Sequence, residues 1–215
     1  MTINSNDSLN ARERILNAAT EIFLNGGFDS VSVREITEAA EVNVALVNYY
    51  FGSKRNLYLE VLRNKFSAIA AMKCTRLQEK LANHSELSLQ LVLTAYVELY
   101  LGSDQSMQAT QQFHKLIARQ LAEDEDAMEL LLNELVVPIH QSLKKTIRQL
   151  MPDADQNKLS LCIGSITGQI FHFQRFPSAF KTLIVLPENA NLREEVAKHI
   201  VEFSLKGFEE ESPCK

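Results

Sequence analysis

The amino-acid sequence predicts an all-α protein. Its 215 residues include only seven Gly and five Pro, and the long intervals without either residue argue against the turn-rich pattern of an all-β fold. Apolar residues recur at helical spacing along these intervals. The composition, 46% hydrophobic and 23% charged, is typical of a globular protein with a substantial core.

The first predicted helix runs from Ala11 to Asn25, where Ile15, Ala19 and Phe23 recur at helical spacing before a Gly-Gly stop. The polar stretch 1–10 has neither the basic nor the apolar region of a signal peptide, and we expect it to be a disordered arm. The sequence contains no run of eighteen uncharged apolar residues. We therefore expect a cytoplasmic protein with no membrane partner.

Two short helical patterns follow, separated by a tight turn. Ser32 lies three residues before Glu35 and predicts a capping box at the start of the first helix. That helix should end near Ala40, and Asn43 is a good N-cap for a second helix that reaches Tyr50. Two helices joined by about three residues make a helix-turn-helix, here at about residues 33–52.

The segments ARERILNAATEIFLNGGFDSVSVREITEAA and NVALVNYYFGSKRNLY carry a specific resemblance. They are similar to the DNA-binding domain of the TetR family of transcriptional regulators, over about residues 11–66. The resemblance implies a three-helix helix-turn-helix domain joined by a long helix to a larger helical ligand-binding and dimerisation domain, 67–215. The family usually has Gly where this chain has Glu41, and a left-handed Glu would cost about 1 kcal/mol relative to Gly.

The second helix of such a motif enters the major groove, so its side chains divide between core and DNA. Val42, Val47 and Phe51 are the predicted core residues. Asn48 could bind adenine, Val44 or Ala45 a thymine methyl group, and the tyrosine hydroxyls phosphate, although either tyrosine could be a half-buried aromatic instead. The candidate DNA-binding residues are Ser32, Arg34, Asn43, Val44, Ala45, Leu46, Asn48, Tyr49, Tyr50 and Lys54.

The net charge of −5 is unusual for a DNA-binding protein, and residues 1–66 alone carry seven Lys or Arg against eight Asp or Glu. We expect a few cations to line the phosphate side while Glu21 and Glu60 face elsewhere. These cations are Arg12, Arg14, Arg34, Lys54 and Arg55. Affinity would then depend on a few phosphate contacts and on dimerisation.

Ser53 predicts the cap of a long helix that ends near Asn83, about 43 Å away at 1.5 Å per residue. Pro138 should kink or divide a later helix. The acidic run 123–126 is interpreted as a solvated helix start in preference to a metal site. Further amphipathic helices are predicted at 86–101, 106–122, 125–150, 155–176 and 192–208.

Gly164 and Gly168 lie four residues apart on one helical face. Each glycine costs helix stability, by about 1 kcal/mol relative to Ala, so the pair predicts the close approach of another helix. The resemblance implies a homodimer interface formed with the C-terminal helix. Close packing within one subunit is the alternative.

A ligand-responsive regulator needs a cavity in its second domain. Aromatic residues at helical spacing are more often plain core, which is the alternative for each candidate. The candidate effector-binding residues are Tyr96, Tyr100, Phe113, His114, Ile117, Phe171 and Arg175.

These observations predict a homodimeric transcriptional repressor that a small-molecule effector releases from a palindromic DNA operator. A small-molecule-binding or protein-interaction module with a vestigial helix-turn-helix is the alternative. Since no nucleophile elbow, P-loop or HExxH pattern occurs, we expect no enzymatic activity, no cofactor and no metal. The three cysteines are widely spaced and are interpreted as reduced thiols.

Overall fold

All regular structure in the described part of the chain is helical, so the all-α prediction is confirmed. The computed structural model describes residues 5–102, 124–187 and 190–208, with side chains from Ala11 onward. A π-helical turn, Leu131–Val136, lies between two of the helices. The helices are α1 (Ser5–Gly26), α2 (Val33–Ala39), α3 (Ala45–Phe51), α4 (Lys54–Ala82), α5 (Leu89–Leu101), α6 (Glu125–Leu130), α7 (Val137–Leu150), α8 (Gln156–Arg175), α9 (Pro177–Leu183) and α10 (Leu192–Phe208).

The described residues form two compact units. The first contains residues 5–69 and 124–136, and the second contains residues 70–102, 137–187 and 190–208. The predicted domain division near residue 67 differs from this grouping, because 124–136 packs in the first unit. The first helix also begins at Ser5, inside the stretch for which the sequence predicted a disordered arm, and its polar first turn is of the kind that helix N-termini favour.

The first unit is a small helical domain in which α1 packs against α2 and α3. Ile15, Ile36 and Val47 are fully buried, so each of these helices contributes an apolar position to one core. Phe23 and Tyr58 meet edge to face with ring centroids 5.2 Å apart. This core holds α3 by one face and leaves its other face to solvent.

The second unit is a bundle in which α5 packs against α7, α8 and α10. Helix α5 is buried along most of its length, from Val92 to Leu101. Its Ser88 cap accepts a hydrogen bond from the Leu91 N–H at 3.2 Å. A helix that is apolar on nearly every face has to be enclosed by its neighbours, which explains its central place in this unit.

Pro138 marks a division, as predicted. Proline has no N–H, so the carbonyl of Glu134, four residues earlier, loses its helical partner. The π-helical turn Leu131–Val136 ends just before this proline.

The short helix α9 was missed by the sequence prediction, which treated Pro177 only as a break although proline is favourable in a first helical turn. The predicted helix 106–122 lies outside the described residues.

None of the described helices is long and apolar enough to cross a membrane. Cys74 and Cys162 are free thiols, in agreement with the prediction for these two. Cys214 lies outside the described residues.

Candidate functional site

The start of α2 is fixed by two reciprocal hydrogen bonds, and the turn that follows this helix contains a left-handed residue. The Ser32 hydroxyl accepts a hydrogen bond from the Glu35 N–H at 3.2 Å, and the Glu35 carboxylate accepts one from the Ser32 N–H at 2.6 Å. The predicted capping box is therefore confirmed, and the hydrogen bonds that the Glu35 carboxylate accepts from Ser32, chiefly from its N–H, hold the pKa of Glu35 below its usual value. Glu41 has φ of 54°, which is the left-handed conformation considered for this position.

Helix α3 is held in the first unit by two apolar side chains. Val47 is completely buried and Phe51 is 6% exposed, whereas Val42, the third predicted core residue, is half-buried. The Asn43 side-chain oxygen accepts a hydrogen bond from the Ala45 N–H at 2.8 Å. Asn43 thus supports the start of α3, although the helix itself begins at Ala45.

The opposite face of α3 is presented to solvent. Tyr49 is 75% exposed and Val44 is 48% exposed, and Asn43, Ala45 and Asn48 are exposed as well. An exposed valine and tyrosine beside two amides form a surface with both apolar and hydrogen-bonding groups. Such a surface can contact both base edges and sugar-phosphate.

The two adjacent tyrosines are placed differently. Tyr49 projects from the helix, whereas Tyr50 is half-buried, so the half-buried alternative applies to Tyr50. Their rings meet edge to face with centroids 4.9 Å apart. Leu46 is also half-buried. The exposed face thus consists of fewer residues than the full candidate set.

Two predicted phosphate-side cations remain close to this motif. Arg34 is exposed on α2, where it pairs with Glu38 one turn away at 2.9 Å. Lys54 lies in the first turn of α4, and its ammonium is 4.3 Å from the centroid of the Phe28 ring. The Ser53 hydroxyl accepts a hydrogen bond from the Asn56 N–H at 3.1 Å, which confirms the predicted cap and orients this helix start.

Two other cations have carboxylate partners distant in the sequence. Arg12 forms an ion pair with Glu60, an acid that was expected to face elsewhere. Arg55 bonds Asp124 and Asp126, and these bonds raise the pKa of the Arg55 guanidinium further above its already high value. Both arginines are therefore paired with acids within the first unit, and their expected place on the phosphate side stays a prediction.

A second cluster of interest lies inside the second unit. The Tyr96 hydroxyl is 2.8 Å from the Thr167 hydroxyl, and the His140 Nε2 is 3.0 Å from the same Thr167 oxygen. The Tyr96 and Tyr100 rings meet edge to face with centroids 5.4 Å apart. Burial raises the pKa of both tyrosines and lowers the pKa of His140, so all three are neutral near pH 7.

The structure brings together only part of the predicted effector set. Tyr96 and Tyr100 are buried, and the Phe171 ring lies 6.1 Å from the Tyr100 ring while remaining 39% exposed. Arg175 is exposed near the end of α8. The candidates Phe113, His114 and Ile117 lie outside the described residues.

Lys73 is a buried charged residue that sequence reasoning missed. Its side chain is 2% exposed, and it follows Phe66 and Ala70 and precedes Leu77 on the apolar face of α4. This spacing of three and four residues was the available signal, because a lysine in the middle of an apolar stripe has to be buried or displaced.

Gly164 and Gly168 both lie on the exposed surface of α8. A Cβ atom built on either residue would meet nothing within 4 Å. Among the described residues, therefore, no helix of the same chain approaches these glycines closely. Close packing against the described helices of the same subunit therefore does not explain them.

Comparison with known proteins assigns both parts of the chain. Residues 15–61 match the family described as bacterial regulatory proteins, tetR family. Residues 89–208, more than half of the chain, match the C-terminal domain of the HTH-type transcriptional dual regulator CecR. The chain belongs to the TetR family.

Individual relatives match this TetR-family chain to different extents. It is 31% identical over 87 residues to the transcriptional regulator QacR of Staphylococcus aureus, a match that covers 38% of this chain and 46% of QacR. It is 27% identical over 177 residues to the dual regulator CecR of Shigella flexneri, which covers 76% of this chain and 75% of CecR. The chain thus spans less than half the length of QacR but three quarters of CecR.

The fold is shared with solved structures of the family. A TetR-family transcriptional regulator from Mesorhizobium loti superposes with a TM-score of 0.65 over 93% of this chain and 96% of its own, at 16% identity. At this identity the likeness concerns the fold alone.

Proposed function

We propose that this TetR-family protein is a homodimeric transcriptional regulator that binds a palindromic DNA operator and is released from it by a small-molecule effector. The observation that carries the proposal is the division of α3 into a buried face, Val47 and Phe51, and an exposed face that includes Asn48 and Tyr49. A short helix held by one face behind a capped partner helix is the geometry that reads the major groove.

The exposed face of α3 suggests how bases would be read. Asn48 has the side-chain amide that pairs with adenine through two hydrogen bonds, and Val44 or Ala45 can contact a thymine methyl group. Tyr49 offers a hydroxyl to phosphate, and Lys54 adds a charge at the start of α4. Readout would depend on amide and apolar contacts because no charged side chain lies on α3.

A dimer would supply the affinity that one copy lacks. Gly164 and Gly168 are exposed on α8 without a close neighbour in the described part of their own chain. The large apolar side chains Leu161 and Phe203 are 71% and 60% exposed on α8 and α10. Exposed apolar groups beside helical glycines fit close packing against a second copy. Two copies of α3 about 34–36 Å apart would then reach successive major grooves.

The effector would act through the second unit, where Tyr96, Tyr100 and Phe171 form an aromatic group beside buried polar side chains. Repression is the sign of control that we favour, because NicS of Pseudomonas putida and KstR of Rhodococcus jostii are named repressors. CecR is named a dual regulator. A regulator of chromosomal genes would act in the cytoplasm without enzymatic turnover.

The test is selection of genomic fragments by the purified protein, followed by footprinting on the selected site. We expect a protected palindrome, with Asn48→Ala reducing affinity and relaxing the base preference at one position in each half-site. Asn64→Ala, at an exposed asparagine of α4, is the matched control and should bind like the unaltered protein. Retention that shows no sequence preference would favour a vestigial helix-turn-helix instead.

A further inference from the structure

Lys73 is buried, and its ammonium has no countercharge among the described residues. Its ammonium donates a hydrogen bond to the Leu99 carbonyl at 2.7 Å and lies 3.5 Å from the centroid of the Tyr100 ring. Among the described residues, no carboxylate lies within ion-pair distance of it. Lysine is almost never fully buried unless it is paired, so this position needs an explanation beyond packing.

The two contacts compensate the charge only in part. A carbonyl oxygen and an aromatic face each attract a cation, but taking an ammonium out of water costs more than such contacts return. Burial, with a smaller effect from the nearby charge of Arg76, lowers the pKa of Lys73 to about 7. A methionine would fill the same space without this cost, so the amino group is retained at the expense of stability.

The groups around Lys73 are of the chemical kinds that bind organic anions. The Tyr100 ring meets the Tyr96 ring edge to face, and the Tyr96 hydroxyl continues into the polar series of Thr167 and His140. On the outer side, the Tyr100 ring faces the partly exposed Phe171 ring. One amino group, several hydroxyl groups and flat aromatic surfaces are thus gathered within one unit.

We propose that Lys73 is the anion-pairing residue of the effector site, and that the effector is an organic monocarboxylate with an apolar or aromatic body. A single amino group beside tyrosine hydroxyls matches a single carboxylate, which would accept hydrogen bonds from both. The apolar body would lie against the rings of Tyr100 and Phe171. This inference deepens the proposed function and rests on its premise that the second unit binds an effector.

Binding would require a local rearrangement. Since Lys73 is 2% exposed, a carboxylate reaches it only if the ammonium exchanges the Leu99 carbonyl for the ligand and the Tyr100 ring moves. Lys73 belongs to α4, whose first turn carries Lys54. The ligand would therefore act on the helix that also contributes to the proposed DNA contact.

Calorimetric titration of the full chain without DNA tests the proposal, with two matched probe pairs. These are octanoate against octan-1-ol, and 3-phenylpropanoate against 3-phenylpropan-1-ol. At least one carboxylate should bind about tenfold more tightly than its alcohol. At about pH 8, where Lys73 is mostly neutral, carboxylate binding should also take up a proton, measured by comparing buffers of different ionisation enthalpy.

Burial keeps Tyr96 and Tyr100 protonated and His140 neutral near this pH, so these three described neighbours do not take up the proton. The Lys73 variants below assign the uptake. Proton uptake is a readout that a purely structural lysine would not produce.

Lys73→Met should abolish both the preference for the carboxylate and the proton uptake. Lys73→Gln, which keeps a donor for the Leu99 carbonyl, serves the same purpose if the methionine variant does not fold. Lys80→Met, at an exposed lysine of the same helix, should leave both properties intact.

Three outcomes would each overturn the inference. They are equal binding of carboxylate and alcohol, an unchanged preference for the carboxylate in Lys73→Met, and no carboxylate binding at millimolar concentration. Carboxylate binding with proton uptake but without operator release would contradict effector control and leave the site assignment standing. The two proposals can therefore fail separately.

Discussion

Arg55 donates one hydrogen bond to each carboxylate oxygen of Asp124, and both bonds are 2.6 Å long. The same Asp124 accepts a hydrogen bond from the Ala127 N–H at 3.1 Å, so it also caps α6. Asp126 accepts a further hydrogen bond from Arg55 at 3.0 Å. The first turn of α4 is thereby joined to the start of α6 within the first unit, by residues that are 69 positions apart in the chain.

Asp124→Asn should lower the free energy of unfolding by about 1 kcal/mol near pH 7, a value that allows for the partial exposure of Arg55. Asparagine can still cap α6, so the loss isolates the ion pair. The Arg55 guanidinium lowers the pKa of Asp124, and this stabilisation is present above the usual aspartate pKa and disappears as pH falls through the lowered one. Urea unfolding between neutral and acidic pH measures the effect.

Asp126→Asn is the matched control for this prediction. Its side chain is 67% exposed and makes a single bond to Arg55, so we expect a change well under half as large. Equal losses from the two variants would contradict the view that the paired geometry at Asp124 is what matters.

Lys54→Met should weaken operator binding and make it less sensitive to salt. Each phosphate contact contributes about one to the slope of log affinity against log salt, so the slope of a dimer should fall by about two. Fluorescence anisotropy at several salt concentrations measures it. Lys80→Met removes the same charge from a lysine paired with Glu98, and a slope that falls equally in this control would exclude a specific contact at Lys54.

Glu41→Gly should raise the free energy of unfolding by about 0.5 to 1 kcal/mol, because glycine adopts the left-handed φ of this position without steric cost. Glu38→Gly, in the helical conformation of α2 three residues earlier, should have the opposite sign and a similar size. Chemical denaturation of both variants and of the unaltered protein measures these changes in the free energy of unfolding. Destabilisation by both would show that Glu41 is not strained.

The sequence was sufficient for features that depend on neighbours within one turn. The Ser32 and Glu35 capping box, the core positions Val47 and Phe51, and the division at Pro138 all follow from local rules of helix chemistry. The left-handed Glu41 was likewise visible, because the resemblance identified a glycine position.

Pairings between distant residues could not be predicted in the same way. Arg12 pairs with Glu60 and Arg55 with Asp124 across 48 and 69 positions, and either arginine would suit a phosphate contact on sequence grounds alone. Helical periodicity specifies which face is apolar but not which charged group lies opposite. Likewise, nothing local identifies Thr167 as the residue that joins Tyr96 to His140.

Replacing Gly164 and Gly168 together by Ala should change subunit stability and dimerisation in opposite directions. Alanine favours the helix by about 1 kcal/mol per site, and neither Cβ atom would meet another group of the described residues within 4 Å. At a close interface between two copies, the added methyl groups should instead raise the dimer dissociation constant about tenfold or more. Sedimentation equilibrium measures the dimer dissociation constant, with Ser165→Ala as control. An unchanged dissociation constant would exclude the glycine face from the dimer interface.

Lys73→Met should stabilise the subunit and remove a pH dependence. An unfolded lysine keeps its proton up to its usual pKa of 10.5, whereas folded Lys73 releases it above about pH 7. Between these values the unfolded state binds more protons, so the free energy of unfolding rises with pH by about 1.4 kcal/mol per unit, and this gain is lost as pH falls toward 7. The methionine variant has no proton to release there and should lack this slope.

Urea unfolding at several pH values between neutrality and pH 9.5 compares the variant with the unaltered protein, with Lys80→Met as the control that should retain the slope. The difference in stability between Lys73→Met and the unaltered protein should be largest near pH 7 and shrink steadily as pH rises, because the cost of the buried ammonium disappears when Lys73 is neutral in both states. Parallel curves for the two proteins would mean that Lys73 keeps its proton when folded. Its compensation by the Leu99 carbonyl and the Tyr100 ring would then be sufficient, and the need for an external anion would lose its main physical support.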